Sequence, residues 1–195
     1  REALEVQRET LGNRHPNTLL SINSLGLLLK EKADLAAAEP LCREALKVQR
    51  EILGNRHPHT LNTINNLGNL LLDKGDLAAA EPLFREALEG RRETLGNRHP
   101  DTLISINNLG ILLQDKGDLA AAEPLLREAV EVKRETLGNQ HPSTLIAISN
   151  LDRLLLKKSK LRLAEKCYGA SKRFVRSTKS LGRSVGRLLM KAEAS

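Results

Sequence analysis

The sequence predicts an all-α solenoid built of helix–turn–helix repeats, and three observations carry that prediction. The phrase Leu-Gly-Asn-Arg-His-Pro starts at Leu11, Leu53 and Leu95, and Leu-Gly-Asn-Gln-His-Pro starts at Leu137, so one 42-residue step runs through the chain. Self-similarity at such a period marks stacked supersecondary units, each needing its neighbours to bury an apolar face. Residues 43–84 and 85–126 differ at only ten positions. Inside each block, apolar residues recur at three- and four-residue spacing, the pattern of one helix face.

The first helix of a block is expected over about residues 58–74, with Leu61, Ile64, Leu67, Leu71 and Leu72 on its core stripe. Pro58 suits the first helical position, where its missing N–H costs nothing. Gly75-Asp76 breaks the chain, and Asp76 can cap the next helix. That second helix is expected over about residues 77–95, with Ala79, Ala80, Leu83, Phe84, Ala87 and Leu88 facing inward and Gly96 as a left-handed stop. Pro40, Pro82 and Pro124 fall inside second helices, where a proline should bend the early turn or delay the helix start. Gly26, Gly68 and Gly110 fall mid-helix at a cost of roughly 1 kcal/mol each. They are expected to face the small residues Ala38, Ala80 and Ala122 and so bring the two helices close.

These positions resemble the tetratricopeptide repeat. Its small and large residues correspond to Leu67, Gly68, Leu71, Ala80, Phe84 and Ala87, and again to Leu109, Gly110, Leu113, Ala122, Leu126 and Ala129. The 42-residue period and the phrases HPxT, NNLG and AAAEPL are similar to the kinesin light chain subtype. The heptad coiled coil of a true kinesin light chain is missing. The resemblance implies a right-handed superhelical array whose first helices line a concave groove that holds a peptide segment, in an adaptor-like protein-interaction role.

Domain organisation follows the period. Residues 1–12 match 85–96 at all but two positions and read as the second half of a truncated repeat helix, so the chain is expected to be a fragment of a longer array whose targeting segment is not observable. Repeats span 13–54, 55–96 and 97–138. A degenerate capping repeat follows at 139–176, in which Asp152, Lys160 and Lys166 replace the packing glycine, the capping aspartate and the helix proline. Residues 177–195 are read as a basic capping helix or tail, with a stripe of Leu181, Val185, Leu188, Leu189 and Ala192.

Charge is divided unevenly. The chain's net charge is +7, but residues 1–150 hold 18 Lys and Arg against 21 Asp and Glu, and residues 151–195 hold 13 against 3. The basic end is either a solvated cap or a docking patch for an acidic partner, a phosphoinositide surface or nucleic acid, through Lys157, Lys158, Lys160, Arg162, Lys172, Arg173, Arg176, Arg183 and Arg187. With no Trp and only Phe84, Tyr168 and Phe174 as aromatics, a base-stacking platform is missing, which argues against nucleic acid. No apolar run approaches a membrane span. Cys42 and Cys167 lie about three repeats apart and read as unpaired packing residues, favouring a reducing, intracellular and cytoplasmic setting.

No catalytic, cofactor or metal site is expected. His15, His57, His99 and His141 recur one repeat apart, roughly 10 Å, too far to share an ion that needs donors within about 2 Å. They should fix the loop or cap the helix. Glu39, Glu81 and Glu123 recur in every unit and so read as structural. Binding candidates, by the resemblance, are the asparagines Asn23, Asn65, Asn66, Asn107, Asn108 and Asn150. The variable groove positions Asn62, Asn69, Ile104, Ile111 and Arg153 join them. A carboxamide both donates and accepts, so it can hold a peptide unit whatever its side chain. Alternatively the asparagines bond between adjacent repeats. The array is thus expected to bind a protein or peptide, alone or within a larger complex. Other readings are a structural subunit of an assembly, and the sensor part of a signalling NTPase.

Overall fold

A computed structural model describes residues 2–192, and the side chains of residues 2–166 and of Tyr168. The described residues form eight helices and no strand. These are α1 (Glu2–Leu11), α2 (Pro16–Glu31), α3 (Leu35–Leu53), α4 (Pro58–Asp73), α5 (Leu77–Leu95), α6 (Pro100–Lys116), α7 (Leu119–Leu137) and α8 (Pro142–Ala192). The chain divides into two units, Arg1–Asp152 and Arg153–Ser195.

The first unit is an all-α solenoid in which α2–α3, α4–α5 and α6–α7 each fill one period. Every helix packs on the next in sequence from α1 to α7. Successive first helices also touch, α2 with α4 and α4 with α6, whereas no second helix meets the next at the backbone. The row of first helices is therefore the closer-packed side.

The His-Pro pairs start the first helices. His15, His57 and His99 hold an extended backbone at the N-cap, and proline follows inside the first turn. Their Nδ1 atoms accept the N–H of the residue two places on at 3.1–3.2 Å, and His141 accepts from Ser143 in the same way. An N-cap acceptor satisfies one of the orphan N–H groups of the first turn. The second helices start on Asp34, Asp76 and Asp118, whose Oδ1 atoms accept from Ala37, Ala79 and Ala121. All three begin before their proline, at Leu35, Leu77 and Leu119, so Pro40, Pro82 and Pro124 do not delay the start.

Two backbone positions depend on positive φ. Gly75 and Gly117, in the turn between helices, have φ of +78° and +87°, and Ala33 holds the same place in the first repeat at φ +60°. Gly96 ends α5 at φ 81°, ψ 168°. That is an extended conformation of positive φ, essentially confined to glycine, where the sequence suggested a left-handed stop. Its N–H still donates to the Arg92 carbonyl.

The mid-helix glycines are sites of close approach. A Cβ on Gly26, Gly68 or Gly110 would fall 2.7–2.8 Å from Cys42 Sγ, Phe84 Cε1 or Leu126 Cδ2. The nearest atoms at each glycine thus belong to Cys42, Phe84 or Leu126, and the Ala38 carbonyl oxygen also lies 3.8 Å from a Cβ at Gly26. Cys42, Phe84 and Leu126 are correspondingly 0–3% exposed. Burial pushes the Cys42 thiol up, with Glu39 adding to the effect.

At the end of the array the turn is absent. The residues one period after Gly117-Asp118 are Ser159-Lys160, which supply neither a residue suited to positive φ nor a capping carboxylate, and α8 runs through them as one helix. In the second unit Leu156, Leu161, Leu163 and Tyr168 are more than half exposed.

Candidate protein-interaction face

Ion pairs join successive repeats on both sides of the array, and Lys30 of α2 meets Asp73 of α4 at 3.0 Å. On the second-helix side, Arg8, Arg50 and Arg92 reach across to Glu44, Glu86 and Glu128 at 2.6–2.7 Å. A parallel set, Arg14–Glu51, Arg56–Glu93 and Arg98–Glu135, spans 2.7–2.9 Å. Glu39 and Glu81 each pair with the arginine four residues on and with a lysine of the next repeat, Lys74 and Lys116. Hydrogen bonds from those lysines, then from Arg43 and Arg85, hold both carboxyls below the usual carboxylate range.

The first-helix side carries a different surface. Leu20, Ile104 and Ile146 are 46%, 45% and 60% exposed, and Asn62 stands exposed in the same row. A second row holds Leu27, 39% exposed, with Asn69 and Ile111 half-buried. Between these rows lie Ser24, Asn66, Asn108 and Asn150. None of these side chains is charged.

The asparagines divide into two kinds. Asn108 Nδ2 donates to Asn65 Oδ1 at 3.1 Å, Asn150 Nδ2 donates to Asn107 Oδ1 at 2.9 Å, and Asn23 Nδ2 donates to Thr63 Oγ1 at 2.7 Å. These bonds link adjacent repeats, as the alternative reading held. Asn65 is buried at 5% exposure, so it serves the interface between repeats. The same bonds leave Asn108 Oδ1, Asn150 Oδ1 and the whole Asn66 amide without a partner in the first unit, although all three residues are only half-buried.

Asn62 is bound up in a cluster the sequence reasoning missed. Arg91, 4% exposed, donates Nη1 to the Asp101 carbonyl at 2.9 Å and to Ser105 Oγ at 2.8 Å, and Nη2 to Asn62 Oδ1. Burial lowers the Arg91 pKa, and Asp101 opposes that shift. The equivalent residues Gln49 and Lys133 are buried too, and Lys133 is held below the ordinary lysine range by burial alone. The available signal was a polar residue at one fixed place in each second helix: Gln7, Gln49, Arg91 and Lys133.

Arg153 belongs to the second unit, where it is exposed, as are Lys157, Lys160 and Arg162, with Lys158 half-buried. Lys172, Arg173, Arg176, Arg183 and Arg187 lie outside the residues whose side chains are described, as does Cys167. No cluster that could hold a metal ion occurs among the described residues, and no described helix is long and apolar enough to cross a membrane.

A stack of capped helix pairs joined from repeat to repeat by ion pairs defines a repeat scaffold. The family model for the tetratricopeptide repeat matches residues 22–93, 62–135 and 101–176. The chain belongs to the tetratricopeptide-repeat family, whose arrays are generally protein-interaction scaffolds. Among solved structures, it is similar to a Podosopora anserina protein described as a kinesin light chain with nearly identical TPR-like repeats. The identity is 25%, the TM-score is 0.71, and the match covers 85% of this chain and 78% of that one. A variant of that protein carrying one substitution aligns at 24% identity, TM-score 0.73 and the same coverage. BtubC (BKLC) from P. vanneervenii shares the fold at 21% identity and TM-score 0.73, with 92% of this chain and 71% of that chain covered. None of the curated proteins matches significantly.

Proposed function

We propose that this array is a non-catalytic, adaptor-like scaffold that binds a peptide segment of another protein along its first-helix side. One observation carries the reading. Three half-buried asparagines keep unspent carboxamide atoms between two uncharged rows that bear exposed Leu20, Leu27, Ile104 and Ile146. Exposed apolar side chains beside amides that lack partners suit a polypeptide backbone with apolar side chains. The tetratricopeptide family supports the assignment of this side as the groove.

The test is an Ile104→Arg/Ile146→Arg double variant. Both positions are exposed, so the fold should survive and thermal unfolding should be unchanged. Cross-linked partners should be lost from the variant and should map to α4 and α6 in the native chain. A second reading draws on the charge excess of residues 151–195 and the exposure of Arg162 and Lys166. In that reading the basic end docks an acidic protein surface. Partners lost from an Arg162→Glu/Lys166→Glu variant but kept by the first variant would favour it.

A further inference from the structure

The geometry points to an ordered specificity code on the first-helix side: a polyproline II peptide segment free of acidic side chains, with a hydrogen-bonding side chain opposite the second repeat and apolar side chains opposite the others. This rests on the groove-binding reading above and goes beyond it by naming what the peptide must carry.

The row Leu20, Asn62, Ile104, Ile146 presents one residue per first helix. Leu20, Ile104 and Ile146 are exposed apolar groups, and Asn62 interrupts them. Asn69 makes the same interruption between Leu27 and Ile111. Both rows therefore turn polar at α4 and nowhere else among these positions. A peptide methyl group set against a carboxamide leaves a desolvated polar group without a partner, and a polar group set against leucine or isoleucine does the same. The two interruptions in one repeat thus select against a uniformly apolar ligand. Asn62 Oδ1 is occupied by Arg91, so Asn62 offers its Nδ2 as a donor, while Asn69 makes no hydrogen bond within the described chain and offers both groups.

Charge selects further. Within the first unit the rows hold no ionised side chain, and the arginines and glutamates of the second-helix side are paired with one another. Glu31, Asp73 and Asp115 stand exposed four residues beyond the second row on the same helices, so an acidic peptide is disfavoured. Helices pack about 10 Å apart, and a polyproline II chain rises about 3.1 Å per residue with three residues per turn, so every third side chain lies on one side. One repeat therefore spans about three residues, and the motif is apolar, amide, apolar, apolar at positions 1, 4, 7 and 10.

The probes are fluorescein-labelled ten-residue peptides with Leu, Gln, Leu and Leu at those positions and serine between, and the same peptide with its order reversed. Controls carry Leu at position 4, or glutamate in place of the serines. Anisotropy titrations should show one direction of the Gln peptide binding about tenfold tighter than its Leu control, a difference of roughly one hydrogen bond. Asn69→Ile should reduce or invert that preference. It breaks no internal bond, so it remains informative if Asn62→Leu, which strands Arg91, fails to fold. Equal binding of the Gln and Leu peptides, tighter binding of the glutamate peptide, or no binding by any probe would each overturn the code. A photo-crosslinking residue at Ser24 then separates the two failures. Peptide-segment adducts from cell extract at that position would leave the groove reading standing without the code, and their absence would remove both.

Discussion

Gly68 of α4 lies against the ring of Phe84 of α5: a Cβ at position 68 would stand 2.7 Å from Phe84 Cε1 and 2.9 Å from Cδ1. The glycine costs the helix roughly 1 kcal/mol of propensity against alanine, yet it permits a phenyl ring that is fully buried. Gly68→Ala should therefore destabilise the array by about 1–2 kcal/mol, since overpacking outweighs the propensity gain. In a Phe84→Ala background the same change should be neutral or stabilising. A double-mutant cycle by urea unfolding reads the difference.

Ala33 sits at φ +60° where the next two repeats place glycine. A left-handed backbone costs an L-residue roughly 1–2 kcal/mol, partly offset by the entropy glycine loses on folding. Ala33→Gly should raise stability by about 0.5–1 kcal/mol, and Gly75→Ala should lower it by a similar amount. Thermal unfolding of the two variants should show opposite shifts in Tm.

His57 caps α4 through Nδ1, 3.2 Å from the His59 N–H. His57→Ala should cost about 1 kcal/mol, while His57→Asn, which keeps a short acceptor at the cap, should recover most of it. Amide exchange at the start of α4 is the local readout: faster for alanine, near native for asparagine.

Glu39 and Glu81 have depressed pKa values because Lys74 and Lys116, then Arg43 and Arg85, hydrogen-bond their ionised forms. A carboxyl whose pKa is lower in the folded chain contributes stability above its unfolded value, near about 4.3. That contribution is lost as pH falls from there through the folded value. Urea midpoints measured from about pH 6 down to about pH 3 should decline, and a Glu39→Gln/Glu81→Gln variant should start lower and decline less. Parallel curves for the two chains would show that these pairs do not carry the acid sensitivity.

Most of the array was legible in the sequence because its signals are local. The His-Pro starts, the aspartate caps and the Gly-Asp turns each act within a few residues, so their spacing set the helices α2 to α7. Ser159-Lys160 shows the same rule in reverse: without those local signals the helix continues. The mid-helix glycines were legible as sites of close approach, but the residue that fills the space at each was not. Whether Ala80 or Phe84 covers Gly68 depends on how the two helices are rotated against each other, and a period in one dimension does not specify that.

The candidate face was legible only in part. Recurring asparagines and variable neighbouring positions could be found by stepping 42 residues. Arg91 was not found, because a charged residue in a helix pattern reads as solvated until a neighbouring helix supplies Asn62, Ser105 and the Asp101 carbonyl.

By itself the sequence determined the repeat, its helices, the caps and the charge contrast between the array and its end, because these depend on neighbours along the chain. Only the tertiary structure decided that Asn108 with Asn65 and Asn150 with Asn107 each spend one end of their amides between repeats while Asn66 spends neither. A carboxamide's role depends on which groups lie within about 3 Å of its two ends, and those groups come from helices one full repeat away.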